Sequence, residues 1–414
     1  MTQPAAAEKE VGILCYATAG PRCAGRAKSS PEDFRVEEVI DMSEMTAEQA
    51  DGRYPLYRVQ KESVDTMHMA AELSTALKSR VSYAGMKDSR AVAVQYATPT
   101  SLRSERPALV SRNRFTATLV GFLARPLSRS SVLANRFEVV LRGCCPEVGS
   151  RMSEAFGLAA AGKVPNYFGL QRFGASGRRT HEVGKALVKG RFEQAVGLLL
   201  AGSPETREAA TAGRYRELLD ILPPGKDVER RVAKALVARP GEWVRAMRAI
   251  PVRLRRLYVQ AYQSFIFNRT LSAALERGED ISKYAAGDNW GESGPGGLVV
   301  YGVRGVKEPP TRGAVPLVQL AGYAYRDYGS RFDACINETL ASEEVEPRSF
   351  YVKEMQEVSS EGGFRRPHLA MKDGAFEVRE DTALLRFTLA RGQYATILLR
   401  EVLKPDDPTA SGLA

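Results

Sequence analysis

Histidine is scarce in this chain, three residues in 414, and the five cysteines form an odd count with no Cys-x-x-Cys spacing. Those shortages speak against a zinc site and against a disulfide framework, and adjacent Cys144 and Cys145 read as small buried residues closing a strand. No run approaches the roughly 18 apolar residues that a membrane-spanning helix needs. The start, MTQPAAAEKEV, lacks a basic stretch followed by an apolar one, so the chain is expected in the cytoplasm with no membrane partner. Rossmann glycines and a phosphate-binding GxxxxGK order are missing as well. The segment from Asp288 to Gly297, DNWGESGPGG, has glycines without that order and is expected to be a surface loop. Acidic residues are outnumbered, 49 against 59 Lys and Arg, and the net charge of +10 favours a polyanionic partner such as RNA.

What is present is the material of a folded protein, with 44% hydrophobic residues and enough chain for two domains. The run Thr66 to Leu77 places Met67, Ala70, Ala71, Leu73 and Leu77 at near-helical spacing, with Asp65 suited to cap its start. Phe115, Ala117 and Leu119 alternate with polar neighbours, as do Phe137, Val139 and Leu141, which predicts half-buried strands of one sheet. From about Glu182 to Arg277 the pattern turns to helices punctuated by Gly and Pro, the composition shift of a second domain. Near the end, Leu385, Phe387 and Leu389 alternate, and Ala395, Leu398, Leu399 and Val402 share a helical face. A strand, a tight turn and a helix are therefore expected, followed by a frayed tail after Lys404.

Chemistry concentrates in a few blocks. Tyr83 to Asp88 reads YAGMKD, placing a carboxylate beside an amine on a Gly-broken turn, although such turns also occur where Asp and Lys simply face water. Asn166 to Gly174 reads NYFGLQRFG, which packs aromatics, amides and an arginine into nine residues; aromatics in such runs are commonly core. Lys28 to Val39 reads KSSPEDFRVEEV, Leu254 to Asn268 reads LRRLYVQAYQSFIFN, and Gly392 to Glu401 reads GQYATILLRE. In that order and at these separations the five blocks resemble the TruD family of pseudouridine synthases, from about Lys28 to Lys404.

The resemblance implies an α+β fold: a pseudouridine synthase-type mixed or antiparallel sheet flanked by helices, interrupted by an inserted α/β domain. The catalytic domain would comprise residues 1–192 and 366–405, the insert 193–365, and the flexible tail 406–414. It also implies Asp88 as the catalytic carboxylate, Lys28 as its cationic partner, Phe168 as the ring on which the base stacks, and Asn166 as the group that holds the base or Asp88. Phe34, Lys87, Gln95, Gln171, Arg172 and Tyr394 are expected to contact the substrate. Arg253, Arg255, Arg256 and Arg269 suggest a phosphate-contacting stripe, with a solvated basic face as the alternative. One departure is Ala93, where the family usually carries Thr.

Isomerising uridine breaks the bond from C1′ to N1, turns the uracil while it is held, joins C5 to C1′ and releases the C5 proton. Nothing is oxidised and no group is donated, so neither cofactor nor metal is expected. A carboxylate can attack the sugar or the base, remove a sugar proton, or accept the C5 proton. The resemblance implies tRNA as partner, uridine 13 of the D arm as target, and a monomer is the default expectation. Alternatives from other classes are a non-catalytic RNA-binding or RNA-remodelling protein, and a uracil C5 methyltransferase using Cys144 or Cys145.

Overall fold

The computed structural model describes all residues except 1, 44, 48–52, 88–90, 175–178, 295–296 and 301–313, and gives the backbone alone at 129, 293–294 and 297–300. In chain order its strands are β1 (Phe34–Ile40), β2 (Tyr54–Glu62), β3 (Val81–Tyr83), β4 (Val92–Pro99), β5 (Leu109–Arg112), β6 (Phe115–Leu123), β7 (Val132–Leu141), β8 (Asn289–Gly294), β9 (Gly297–Val300), β10 (Val315–Leu320), β11 (Gly363–Arg365), β12 (Met371–Arg379) and β13 (Thr382–Ala390). Nine of them build one sheet in the order β12-β13-β7-β1-β4-β2-β6-β5, with β3 beside β4. Only β1 and β4 run parallel in it, so the sheet is mixed and the fold α+β. The last two strands rejoin the first part of the chain, Phe387 pairing with Phe137 and Leu385 with Val139.

Strand alternation gives this sheet one wet face and one covered face. Arg35, Glu138 and Arg386 lie side by side across β1, β7 and β13, and Arg386 pairs with Glu138 at 2.9 Å on the exposed side. The opposite face carries Phe34, Val36, Phe137 and Phe387; Phe34 meets Phe137 edge to face, and Phe137 stacks on Phe387. Two helical covers bury it. Thr66–Ala76 lays Met69 and Leu73 against Tyr57, Val59, Ala97 and Ala117. Val148–Ala160 and Ala395–Leu403 cover the β7, β13 and β12 half through Met152, Phe156 and Leu398.

Asp65 caps the first helix as expected, accepting from the N–H groups of Met67 and His68. Met67 itself is 57% exposed, and Met69 takes the inward place, because the buried stripe is set by 66, 69, 70 and 73. Between Thr180 and Glu276 lie seven helices, the last of them Val252–Glu276. Gly184 lets the helix Thr180–Val188 press on this long one: a Cβ there would stand 2.0 Å from the Tyr258 carbonyl.

Three expectations are corrected. The glycine-rich segment from Asp288 is a hairpin, β8 and β9, in a four-stranded sheet ordered β11-β10-β8-β9, and Asp288 is buried against Arg331 at 3.0 Å. Cys145 is not a plain buried thiol. It forms a disulfide with Cys23 across 122 residues of sequence, while Cys144 remains a buried thiol. The tail after Lys404 is not frayed: the Ala27 N–H donates to the Ser411 carbonyl at 3.0 Å, and Leu413 is 3% exposed in the core.

The two chain ends are clamped together. Arg400, within the last helix, meets Glu8 at 2.6 Å and Glu401 at 2.5 Å, all three side chains being almost fully buried. The second oxygen of Glu401 accepts from the N–H groups of Ala17 and Thr18.

Candidate active site

Between the two helical covers lie β1 and β4, where Val36, Ala93 and, just before β4, Ala91 are buried. Here the sheet forks. β1 pairs with Val92–Val94 of β4, whereas β3 occupies the same flank farther on, beside Ala97–Pro99. Glu38 fills the gap between them, accepting from the Tyr96 N–H at 3.1 Å in place of a strand partner. The YAGMKD turn leaves β3 at this fork. Asp88 lies outside the described residues; the turn up to Lys87 is fixed in detail.

Three anchors hold that turn. The Lys87 ammonium forms an ion pair with Glu38 at 3.1 Å and donates to Oδ1 of Asn135, the residue directly opposite Glu38 on β7. The Lys87 N–H donates to Thr66 Oγ1 at 2.9 Å, and that hydroxyl donates to Gln95 Oε1 at 3.1 Å. Thr66 opens a helix, so the turn is tied to a helix start, to β4 and, through Glu38 and Asn135, to β1 and β7. Lys87 and Gln95, expected to touch substrate, thus brace the turn from within the fold. Gln95 is fully buried with its Nε2 unpaired, and the Lys87 side chain is 10% exposed.

Lys28 sits half-buried in a left-handed backbone conformation, its ammonium 4.7 Å from the centre of the Phe34 ring. Phe34 is 6% exposed, so it supports Lys28 as part of the aromatic core more than it walls an open pocket.

The NYFG block is held from beneath by the long helix. Asn268 grips the backbone of Phe168 on both sides, accepting from its N–H at 2.8 Å and donating to its carbonyl at 3.1 Å. Tyr167 is fully buried with its hydroxyl 3.0 Å from Ser272 Oγ. The Phe168 ring is half-buried among Phe267 (centroids 5.4 Å, 79°), Tyr394 (6.3 Å, 64°) and the guanidinium of Arg365, 4.0 Å from its centre. The Asn166 side chain is engaged with the chain leaving β11, donating to the Arg366 carbonyl at 2.9 Å and accepting from Arg365 at 2.7 Å. Arg172 donates to Ser264 Oγ and Gln260 Oε1 and approaches Phe168 from 5.8 Å. Gln171 turns toward the C-terminal segment, donating to the Leu413 carbonyl and accepting from Thr396.

The two blocks converge at the end of β13. Leu389 pairs with Asn135, the acceptor for Lys87, and just beyond it Gly392 accepts from Arg365 and Tyr394 meets Phe168. Burial, with the neighbouring Arg172 charge acting in the same direction, pushes the Arg365 guanidinium down to about 10.

Arg365, Glu38, Asn135 and Thr66 escaped the reading of motifs. A signal existed for Glu38: it interrupts the apolar alternation Phe34, Val36, Ile40 on the covered face. Of the four arginines of the basic face, Arg255 is withdrawn from it, being 7% exposed and paired with Glu357, whereas Arg253 and Arg256 are exposed and Arg256 donates to the Glu357 carbonyl. Neither cysteine offered as a nucleophile is suited to that role, since Cys145 is bonded and burial raises Cys144 to about 11. Among the described residues no three His, Cys, Asp or Glu side chains group as metal ligands, and no helix is long and apolar enough to cross a membrane.

Residues 10–402 match the family model of tRNA pseudouridine synthase D (TruD). Curated relatives include the "Probable tRNA pseudouridine synthase D" of Pyrobaculum neutrophilum, 32% identical over 429 residues and covering 98% of each chain. That of Archaeoglobus fulgidus is 30% identical over 424 residues, 96% of this chain and 99% of its own. The crystal structure of TruD from Methanosarcina mazei superposes with a TM-score of 0.78 at 27% identity, covering 97% of this chain and 98% of the other.

Proposed function

The chain belongs to the tRNA pseudouridine synthase D (TruD) family, and on that footing we propose that it isomerises a uridine of tRNA to pseudouridine, with uridine 13 of the D arm as its target. Asp88 is the catalytic carboxylate in this reading, Lys28 its cationic neighbour, and Phe168 the ring that receives the extruded base. The observation that carries it is the convergence just described, in which the turn leading to Asp88, through Asn135, and the half-buried Phe168 ring, through Tyr394, are both tied to the end of β13.

The rigidity of the turn matters to the chemistry. A carboxylate that must meet C1′, C6 or a sugar proton within about 3–3.5 Å gains from a backbone that does not reorganise. The anchors on Lys87 provide that on the N-terminal side of Asp88. Extruding a base costs a few kcal/mol, and stacking on Phe168 returns about 1–3 kcal/mol. No oxidant, group donor or metal enters the balance. We assign residues 193–365 to an inserted domain forming the second wall of the cleft, and take the working unit to be a cytoplasmic monomer.

The test is tritium release from tRNA labelled at uracil C5, without added cofactor, for the native protein and Asp88→Asn. Release by the native protein alone supports the assignment. Tight tRNA binding by both proteins with release by neither would replace it with an RNA-binding role, and mapping the product in the native reaction checks position 13.

A further inference from the structure

We infer that Tyr323 and Tyr351 form a stacking platform for a second, unpaired base of the RNA, a few nucleotides from the one that Phe168 receives. This inference rests on the reading of the substrate as RNA and adds to it a binding site outside the catalytic blocks.

The two rings are 40% and 49% exposed and meet edge to face, with centroids 6.0 Å apart at 87°. Such a contact covers one face of one ring, so flat aromatic surface stays open to solvent. The backbone beneath is nevertheless fixed. The Tyr323 N–H donates to the Ser360 carbonyl at 3.0 Å. Both neighbours of Tyr351 are bonded to the same bend: the Phe350 carbonyl accepts from the Ser360 N–H at 3.0 Å, and the Val352 N–H donates to Ser359 Oγ at 3.0 Å. Two aromatic side chains left in water on a pinned backbone make a preorganised surface, and a ligand that covers them has little left to order.

Position points to the substrate strand. Ser360 Oγ donates to Gln263 Oε1 at 2.9 Å on the long helix, and one turn farther along that helix Phe267 packs on Phe168. From the same Ser360 the chain runs through β11 to Arg365, whose guanidinium stands 4.0 Å from the centre of the Phe168 ring. Five residues of chain reach at most about 18 Å, a length that a few nucleotides of a strand cover. Chemistry selects a base over a phosphate. A phenol ring offers a π-face to an aromatic ligand and no cation to an anion, and exposed Glu361, next to Ser360, repels an anion. The strand's phosphates have Arg253 and Arg256, exposed near the start of the long helix. Every base has a π-face, so the platform takes its ligand with little regard to sequence.

The test is tRNA binding by the full chain at several salt concentrations, native against Tyr323→Ala, Tyr351→Ala and Tyr351→Phe, with thermal melting as control. Each alanine variant is expected to melt as the native protein does and to bind about 5- to 150-fold more weakly, with the slope of log K against log salt unchanged, because stacking releases no phosphate counterions. Tyr351→Phe keeps the ring and should bind like the native protein. Should an alanine variant melt early, Tyr323→Leu or Tyr351→Leu keeps bulk without a π-face and decides in its place. Native-like binding by the folded variants overturns the platform. So does a loss in Tyr351→Phe equal to that in Tyr351→Ala, which assigns the contact to the hydroxyl, or a slope lowered by about 0.7–0.9, which assigns it to a phosphate. Each of these leaves the isomerase assignment intact. Absence of tritium release by the native protein sinks that assignment instead, and the binding comparison still reports on the platform.

Discussion

The Lys87 ammonium stands 3.1 Å from the Glu38 carboxylate, whose other oxygen occupies the fork in the sheet on the Tyr96 N–H. One carboxylate therefore joins the turn before Asp88 to the point where β1 and β3 separate. Removing a single partner from such a buried pair costs about 3–5 kcal/mol. Glu38→Gln and Lys87→Met are each expected to lower the melting temperature and slow tritium release. The double variant should cost clearly less than their sum, and additive losses would show that the two residues act separately.

Phe168→Ala should lose about 1–3 kcal/mol of transition-state binding, roughly a 5- to 150-fold fall in kcat/KM. Phe168→Tyr keeps a stacking ring and should recover most of it. Equal losses in both variants would remove base stacking from the account of this ring.

The Cys23–Cys145 bond closes a loop of 122 residues. In the chain-entropy model, cross-linking over such a distance stabilises by up to about 5 kcal/mol. Melting of the oxidised protein should therefore exceed that of Cys23→Ser, and thiol alkylation in denaturant followed by mass measurement should count three free cysteines without reductant and five with it.

His368 supplies the pH dependence. Burial, reinforced by Arg366, lowers it to about 4 from the ordinary 6.5, while its Nδ1 contacts the Ile281 carbonyl at 3.0 Å. A folded state that prefers the neutral ring has its full stability above pH 6.5 and loses it as pH falls toward 4, about 3 kcal/mol in all. His368 follows Pro367, whose carbonyl accepts from the Asn166 N–H, so the loss falls near the NYFG block. His368→Asn should flatten the melting-temperature profile between pH 6.5 and 4; an unchanged profile would assign the acid sensitivity to other groups.

Much of the framework was legible because it is local. Asp65 caps a helix from the position its side chain dictates, and the alternations around Phe137 and Phe387 mark strands that prove to be neighbours. Periodicity carried no information on that neighbouring, since the pair is brought together across the insert; the family resemblance did. The residues bracing the site were harder for the same reason. Arg365 gains its role from Asn166 and Gly392, far apart in the chain, and Cys23 reveals its partner only when the segment before β1 folds back on the end of β7. The glycines after Asp288 misled because a two-strand ribbon and an open loop share that composition.

The covered face is completed by a strand that lies far from β7 in the sequence. β7 acquires its second neighbour only with β13, and the pair Glu8–Arg400 joins residues 392 positions apart. During synthesis the early strands must wait, with an apolar flank unoccupied, until β13 and the helix Ala395–Leu403 have left the ribosome. A prematurely terminated product lacks both the closing strand and the clamp. It therefore exposes an apolar face and an unpaired strand edge, the surfaces through which incompletely folded chains aggregate.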